Sequence, residues 1–239
     1  MTKNKRQKGR LIALEGIDGC GKSTQIKLLK QTLRRKGYRV KFIDLPSHGE
    51  PSAYFVDKFL KGKFGSIEIV GPYRAAIFFA LDRYDKSFLI KQWLNEGFIV
   101  LADRYLGSNL AYQGAHFDNP EHKNTFINWL FDLEYNIFQI PKPDLNIVLD
   151  VPSIVTQKLI TQIKDRQKIK TKETYLGKAK KDLYEKNVAY QETVRQIYLE
   201  LTNLYPQFFK IIPCYQNNQL LTITKIHHLI WQKVEALLS

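Results

Sequence analysis

The chain has 239 residues, with 37 Lys and Arg against 23 Asp and Glu and a net charge of +14. Its composition is 44% hydrophobic and 13% aromatic, with only two cysteines, Cys20 and Cys214, which excludes global disorder, a disulfide scaffold and a closed four-cysteine zinc site. No apolar run approaches the roughly 20 residues of a membrane span, so the expectation is a soluble, cytoplasmic protein: a basic tail over residues 1–9 and one domain over residues 10–239.

The first apolar run, Leu11–Glu15, has strand length and leads into Gly16-Ile17-Asp18-Gly19-Cys20-Gly21-Lys22-Ser23, then Thr24. A Gly-x₄-Gly-Lys-Ser pattern between a strand and a helix is a phosphate-binding loop. Its glycines let successive backbone N–H groups converge on an anion, and the helix opening at Lys22 adds the partial positive charge of its N-terminus. Lys22 is expected to reach the β- and γ-phosphates, Ser23 to ligate Mg²⁺, and Cys20 to pack as a small residue. The helix carries Ile26, Leu29 and Leu33 on one stripe and stops at Gly37.

A second strand is expected at Val40–Leu45, and helical spacing then runs from Arg74 to Asn95, ending at Gly97. Phe79 and Arg83 lie four residues apart on one face of this helix. Taken alone, the pair reads as a core residue beside a surface one, with a base-stacking ring and its hydrogen-bonding partner as the alternative. The third and fourth runs, Phe98–Ala102 and Leu145–Val151, are apolar without alternation, the pattern of strands buried on both faces of a parallel sheet. Asp103-Arg104-Tyr105 stands at the end of the third strand, followed by Ser108, Asn109, Tyr112 and Gln113. Strand ends in open α/β sheets hold ligands. There Asp103 suits Mg²⁺, its waters or the acceptor's proton, and Arg104 a bidentate grip on phosphate; an ordinary surface ion pair is the plain alternative. A fifth run, Phe208–Ile212, precedes a last helix aligning Ile223, Ile226, Ile230, Val234 and Leu237. The fold class is α/β, a parallel sheet flanked by helices.

The basic excess sits in two places. Lys3, Lys5, Arg6, Lys8 and Arg10 make up the tail, and residues 164–186 hold nine basic residues against Asp165, Glu173, Asp182 and Glu185. The tail reads as a solvated end, whereas the internal segment, weakly periodic, reads as a mobile basic lid. A phosphate loop fixes the donor as a nucleoside triphosphate and leaves the acceptor open. The chain lacks an Asn-Lys-x-Asp guanine reader, which disfavours a GTPase. A deoxynucleoside kinase acting on an unphosphorylated nucleoside shares these motifs, and the charge raises a nucleic-acid-binding P-loop ATPase as a rival of another class.

Jointly, Glu15-Gly16-Ile17-Asp18-Gly-x-Gly-Lys-Ser-Thr, Phe79-Ala-Leu-Asp-Arg83, Asp103-Arg-Tyr-x-x-Ser-Asn-x-Ala-Tyr112-Gln113, Pro143-Asp-Leu with Leu149-Asp-Val, and the basic segment resemble the thymidylate kinase family in its own order over most of the chain. The resemblance implies the nucleoside monophosphate kinase variant of the P-loop fold, with five parallel strands ordered 2-3-1-4-5. It implies transfer of the γ-phosphoryl of ATP to dTMP with Mg²⁺, in a homodimer whose partners are small nucleotides rather than nucleic acid or membrane. By the same resemblance Phe79 stacks on thymine, Arg83 reaches the base, and Arg104 clamps the acceptor phosphate. Ser108, Asn109 and Gln113 are similar to the family's base-side contacts, Tyr112 to the ring that crowds the sugar's 2′ side, and Asp18 to the acid near the 3′-hydroxyl. Asp103 assists Mg²⁺ and phosphate positioning.

Two departures qualify this pattern. Where the family commonly carries an arginine near the proline after the second strand, this chain has Leu45-Pro46-Ser47-His48, leaving His48 as a partial substitute or a solvated side chain. Some relatives also carry an arginine where this chain has Gly19, and those without one supply catalytic cations from the lid. Here Arg166, Lys168, Lys170 and Lys172 open the basic segment, and Arg166 matches phosphate geometry with its planar fork. Arg166→Ala is expected to lower kcat by about 10³-fold or more, the range of arginine fingers, with a smaller change in dTMP affinity. Steady-state kinetics check this, and an unchanged kcat after neutralising all four cations excludes a catalytic lid.

Overall fold

The computed structural model describes residues 8–162 and 188–239; the basic segment with Arg166, Lys168, Lys170 and Lys172, and most of the N-terminal tail, lie outside the described residues. The strands β1 (Arg10–Glu15), β2 (Val40–Asp44), β3 (Ile99–Asp103), β4 (Leu145–Asp150) and β5 (Phe209–Pro213) form one parallel sheet in the order β2-β3-β1-β4-β5. This is the order the family resemblance implies, and every strand lies within one residue of its expected bounds. The reason is legible in β1, β3 and β4. Leu11 to Leu14, Ile99 to Ala102 and Ile147 to Leu149 are buried on both faces, so apolar character is continuous rather than alternating.

Parallel neighbours need crossover connections, and helices supply them. Helix α1 (Lys22–Arg35) joins β1 to β2. Between β2 and β3 come α2 (Tyr54–Leu60), the short α3 (Ile67–Val70) and the long α4 (Pro72–Asn95). Helices α5 (Leu106–Gly114) and α6 (Pro120–Phe131) and a π-helical turn (Asp132–Ile137) lead to β4, and α7 (Ser153–Gln162) and α8 (Val188–Leu204) flank the undescribed segment. A small hairpin, β6 (Tyr215–Gln216) and β7 (Gln219–Leu220), precedes α9 (Ile223–Leu238). Helices α1 and α9 pack together as one outer layer, and α4, α5 and α8 form the other. In α9, Ile226, Ile230 and Val234 face the core as the spacing predicts, but Ile223 is exposed. It occupies the first turn, where its carbonyl accepts a hydrogen bond from Gln25 Nε2 at 3.0 Å.

The chain leaves β1, crosses beyond β3 to form β2, returns to β3, and then continues on the far side of β1. The reversal of direction opens a crevice at the carboxyl ends of β1 and β3, the place where open α/β sheets hold ligands. Leu14 pairs in register with Asp103, and Arg104 N donates to Leu14 O at 2.9 Å, so the phosphate loop and the Asp-Arg pair emerge side by side. Leu29 anchors α1 against the sheet and has no exposed surface. Leu29→Ala is expected to lower the unfolding free energy by about 2–5 kcal/mol, the cost of a cavity in a close-packed core; a urea titration measures it.

Candidate active site

The phosphate loop ends at Gly21, whose left-handed backbone (φ 97°) opens α1 with no side chain capping the helix. The first N–H groups of α1 therefore face the loop without a side-chain acceptor among the described residues, as an anion site requires. Lys22 is buried beneath the loop and donates to the carbonyls of Gly16 (3.0 Å) and Ile17 (3.1 Å). Ser23 Oγ donates to Asp103 Oδ2 at 3.3 Å, which brings together the two residues expected around Mg²⁺. Among the described residues no group of three or more His, Cys, Asp or Glu side chains is arranged to hold a metal. Thr24 is exposed at the start of α1, and Cys20 is buried with its thiol pushed up by burial, which makes it a packing residue. At Gly19 (φ +77°) an added Cβ would lie 2.6 Å from Ile160 Cγ1 of α7, so both backbone and space exclude a larger residue.

Arg104, expected on the acceptor side, stands at the centre of a polar cluster beside the phosphate loop. Its backbone is left-handed (φ 67°), a conformation uncommon for a non-glycine residue and one that accompanies functional constraint. The guanidinium pairs with Asp18, donates from Nη1 to Gly16 O and Ser108 Oγ (both 3.1 Å), and lies 5.2 Å from the centre of the Tyr112 ring. Burial works against the Asp18 charge, but Arg104 and Lys22, with hydrogen bonds from Tyr112 and Gln191, hold its carboxyl below the usual carboxylate range. Gln191, from α8, closes this cluster: its Nε2 donates to Asp18 Oδ2 at 2.9 Å, and its Oε1 accepts from Asp18 N at 3.2 Å.

The residues expected on the base side are gathered less uniformly. Phe79 is half-buried and meets Phe59 edge-on, their centroids 6.3 Å apart. Arg83 is buried, and its Nε and Nη2 each donate to Glu134 at 2.6 Å, a bidentate pair inside the protein. Asn109 Nδ2 donates to Ala76 O (3.0 Å) and to Glu134 Oε1 (3.2 Å), while its Oδ1 is buried with no hydrogen-bond partner among the described residues. Gln113 is buried on the same helix, α5. Ser108 is drawn into a different environment: its hydroxyl donates to Glu15 Oε2 at 2.6 Å and lies 2.8 Å from Tyr198 OH, beneath Arg104. His48, the candidate substitute for the missing arginine, turns its Nδ1 to Asp57 Oδ1 at 2.5 Å, and Gly49 N donates to the other Asp57 oxygen at 2.9 Å. Asp82 fixes the same turn, accepting from Ser47 N (2.8 Å) and Ser52 Oγ (2.7 Å).

Four residues escaped the reading of the sequence as site components: Glu15, Glu134, Gln191 and Tyr198. Glu15 had a usable signal, a charged residue ending an otherwise apolar strand. Glu134 lies in a π-helical turn, a geometry with no sequence period to reveal it. Gln191 and Tyr198 belong to α8, far from the phosphate loop in sequence.

Fold and crevice define a P-loop phosphotransferase with an arginine, Arg104, at the mouth of the phosphate loop. Residues 14–222 match the family model described as thymidylate kinase. The chain is 34% identical over 233 residues to a probable thymidylate kinase of Thermococcus onnurineus, covering 94% of this chain and 96% of that protein. It is 36% identical over 183 residues to the probable thymidylate kinase of Pyrobaculum aerophilum, covering 72% and 84%. The solved structure of thymidylate kinase from Candida albicans superposes with a TM-score of 0.68 at 26% identity, over 96% of this chain and 92% of that one. The chain belongs to the thymidylate kinase family.

The pairing of Arg83 with Glu134 has a measurable cost if broken. Glu134→Ala leaves a buried guanidinium uncompensated and is expected to lower the unfolding free energy by about 3–5 kcal/mol. Glu50→Ala, which removes an exposed partner of Lys86, is expected to cost about 0–1 kcal/mol. Paired denaturant titrations decide between them.

Proposed function

We infer that the chain transfers the γ-phosphoryl of ATP to dTMP, giving dTDP and ADP for dTTP synthesis. The observation that carries this reading is Arg104, aimed from the end of β3 at the mouth of the phosphate loop and paired there with Asp18. A second anion subsite next to a donor loop is what phosphate-to-phosphate transfer needs and what an enzyme acting on a neutral nucleoside does not. An oxygen of the dTMP phosphate attacks the γ-phosphorus in line as the bond to the β,γ-bridging oxygen breaks, without a covalent enzyme intermediate. Both reactants are polyanions, so Lys22 on the donor side and Arg104 on the acceptor side neutralise their approach and hold it in line.

In this reading Gly16, Asp18, Gly19, Cys20, Gly21, Lys22, Ser23 and Thr24 form the donor site. Phe79 stacks on thymine, Arg83 and Gln113 border it, and the unpartnered Asn109 Oδ1 accepts from the N3–H of the base. Tyr112 crowds the sugar, Asp18 faces its 3′-hydroxyl, and Ser108 acts from below Arg104. Ser23 and Asp103 would hold Mg²⁺, which would supply Lewis-acid charge neutralisation. The active unit is a homodimer: Leu81, Tyr84, Phe88 and Leu89 leave an apolar face of α4 exposed, suited to a second copy. Two free, buried cysteines agree with a place in the reducing cytoplasm, and no described helix is long and apolar enough to cross a membrane.

ADP release across dTMP, dUMP, dCMP, dGMP and thymidine tests the reading, with dTMP expected to be preferred and thymidine inert. Preferred turnover of thymidine would replace it with a deoxynucleoside kinase, and stimulation of ATP turnover by polynucleotide with a nucleic-acid-dependent ATPase. Arg104→Ala is expected to raise the KM for dTMP by about 10- to 100-fold, the loss of a hydrogen bond to a charged group, with a much smaller change for ATP.

A further inference from the structure

Glu15 ends β1 one residue before the phosphate loop and has no exposed surface. Three donors converge on its carboxylate: Tyr105 N at 2.9 Å on Oε1, and Ser108 Oγ at 2.6 Å and Tyr198 OH at 3.1 Å on Oε2. Tyr105 is the residue at which α5 begins, and it has no side-chain cap of its own. The carboxylate also lies against the first turn of α5 so closely that a Cβ added at Gly107 would stand 2.7 Å from Oε1. Glu15 therefore caps α5 from another strand, placing its charge at the positive end of that helix. The same helix carries Ser108, Asn109, Tyr112 and Gln113, and the residue before its cap is Arg104, left-handed and strained.

We propose that Glu15 is a positioning residue that locks the acceptor half of the site to the donor loop. One side chain, joined covalently to Gly16, fixes the peptide after Arg104 and the hydroxyl of Ser108 on which Arg104 Nη1 rests at 3.1 Å. Its carboxylate is the group that suits this task. Both oxygens accept, whereas an amide at the same place presents a donor to Ser108 and competes with Arg104 for the Ser108 lone pairs. Burial raises the Glu15 carboxyl above the ordinary range, while Ser108, Arg104, Tyr198 and Lys22 favour its charged form.

This proposal rests on dTMP being the acceptor, so wild-type turnover of dTMP is measured first; failure there removes the reading of function, and success isolates Glu15. Glu15→Gln is then expected to raise the KM for dTMP by about tenfold, the cost of disturbing a charge-assisted hydrogen bond, with the KM for ATP within about twofold of wild type. Because Glu15 acts through Arg104, adding Glu15→Gln to Arg104→Ala is expected to change the KM for dTMP by less than about twofold. If Glu15→Gln does not fold, Glu15→Asp, which withdraws the carboxylate by one methylene, carries the same expectations. An unchanged KM for dTMP, a parallel rise for ATP, or factors that multiply in the double variant would overturn the proposal, since a residue supporting only the fold does not discriminate between the two substrates.

Discussion

Lys22 Nζ and Arg104 Nη1 donate to the same carbonyl oxygen, that of Gly16, at 3.0 and 3.1 Å. Two like charges at one backbone atom repel, and in a partly dehydrated crevice the repulsion is much stronger than in water. The surrounding residues are organised by that constraint. Asp18 pairs with Arg104, Ser23 bridges to Asp103, and Glu15 is buried below with three donors on its carboxylate. Concentrated positive charge is what two approaching polyanions require, and the acidic residues keep it in place before they arrive.

The arrangement reaches into the stability of the fold. Helix α5 is buried along all nine of its residues, yet Ser108, Asn109 and Gln113 are polar. Buried polar groups must find partners, and those partners fix the helix in rotation as well as in position. Ser108 meets Glu15 and Tyr198, and Asn109 meets Ala76 and the Arg83–Glu134 pair. Replacing a buried ion pair by well-packed apolar side chains is neutral or stabilising in many cores. Here the pair also bonds Asn109 of α5, so it fixes that helix as packing alone does not.

Strands and phosphate loop were legible because each has a local cause: uninterrupted apolar runs for strands covered on both faces, and a glycine-lysine spacing for a loop that wraps an anion. Helix α5 was not, since a helix buried all round shows no amphipathic period. The partners of Arg83 and Asp18 were invisible for another reason. Glu134 is 51 residues from Arg83 and Gln191 is 173 from Asp18, and neither contact leaves a spacing in the sequence. His48 shows the limit from the opposite side: its residue type suits a phosphate contact, but Asp57, nine residues on, takes its ring nitrogen first.

Gly19 connects the loop to the remaining charge of the chain. Ile160 and the carbonyl of Thr156, both in α7, stand within 3.0 Å of any Cβ placed there, so the loop has no room for a cation of its own at that position. Helix α7 thus rests on the loop at Gly19, and α8 rests on it through Gln191 and Asp18. The chain leaves the phosphate loop at one of these helices and returns to it at the other. Residues 164–186, with their nine lysines and arginines, lie between the two helices in the sequence.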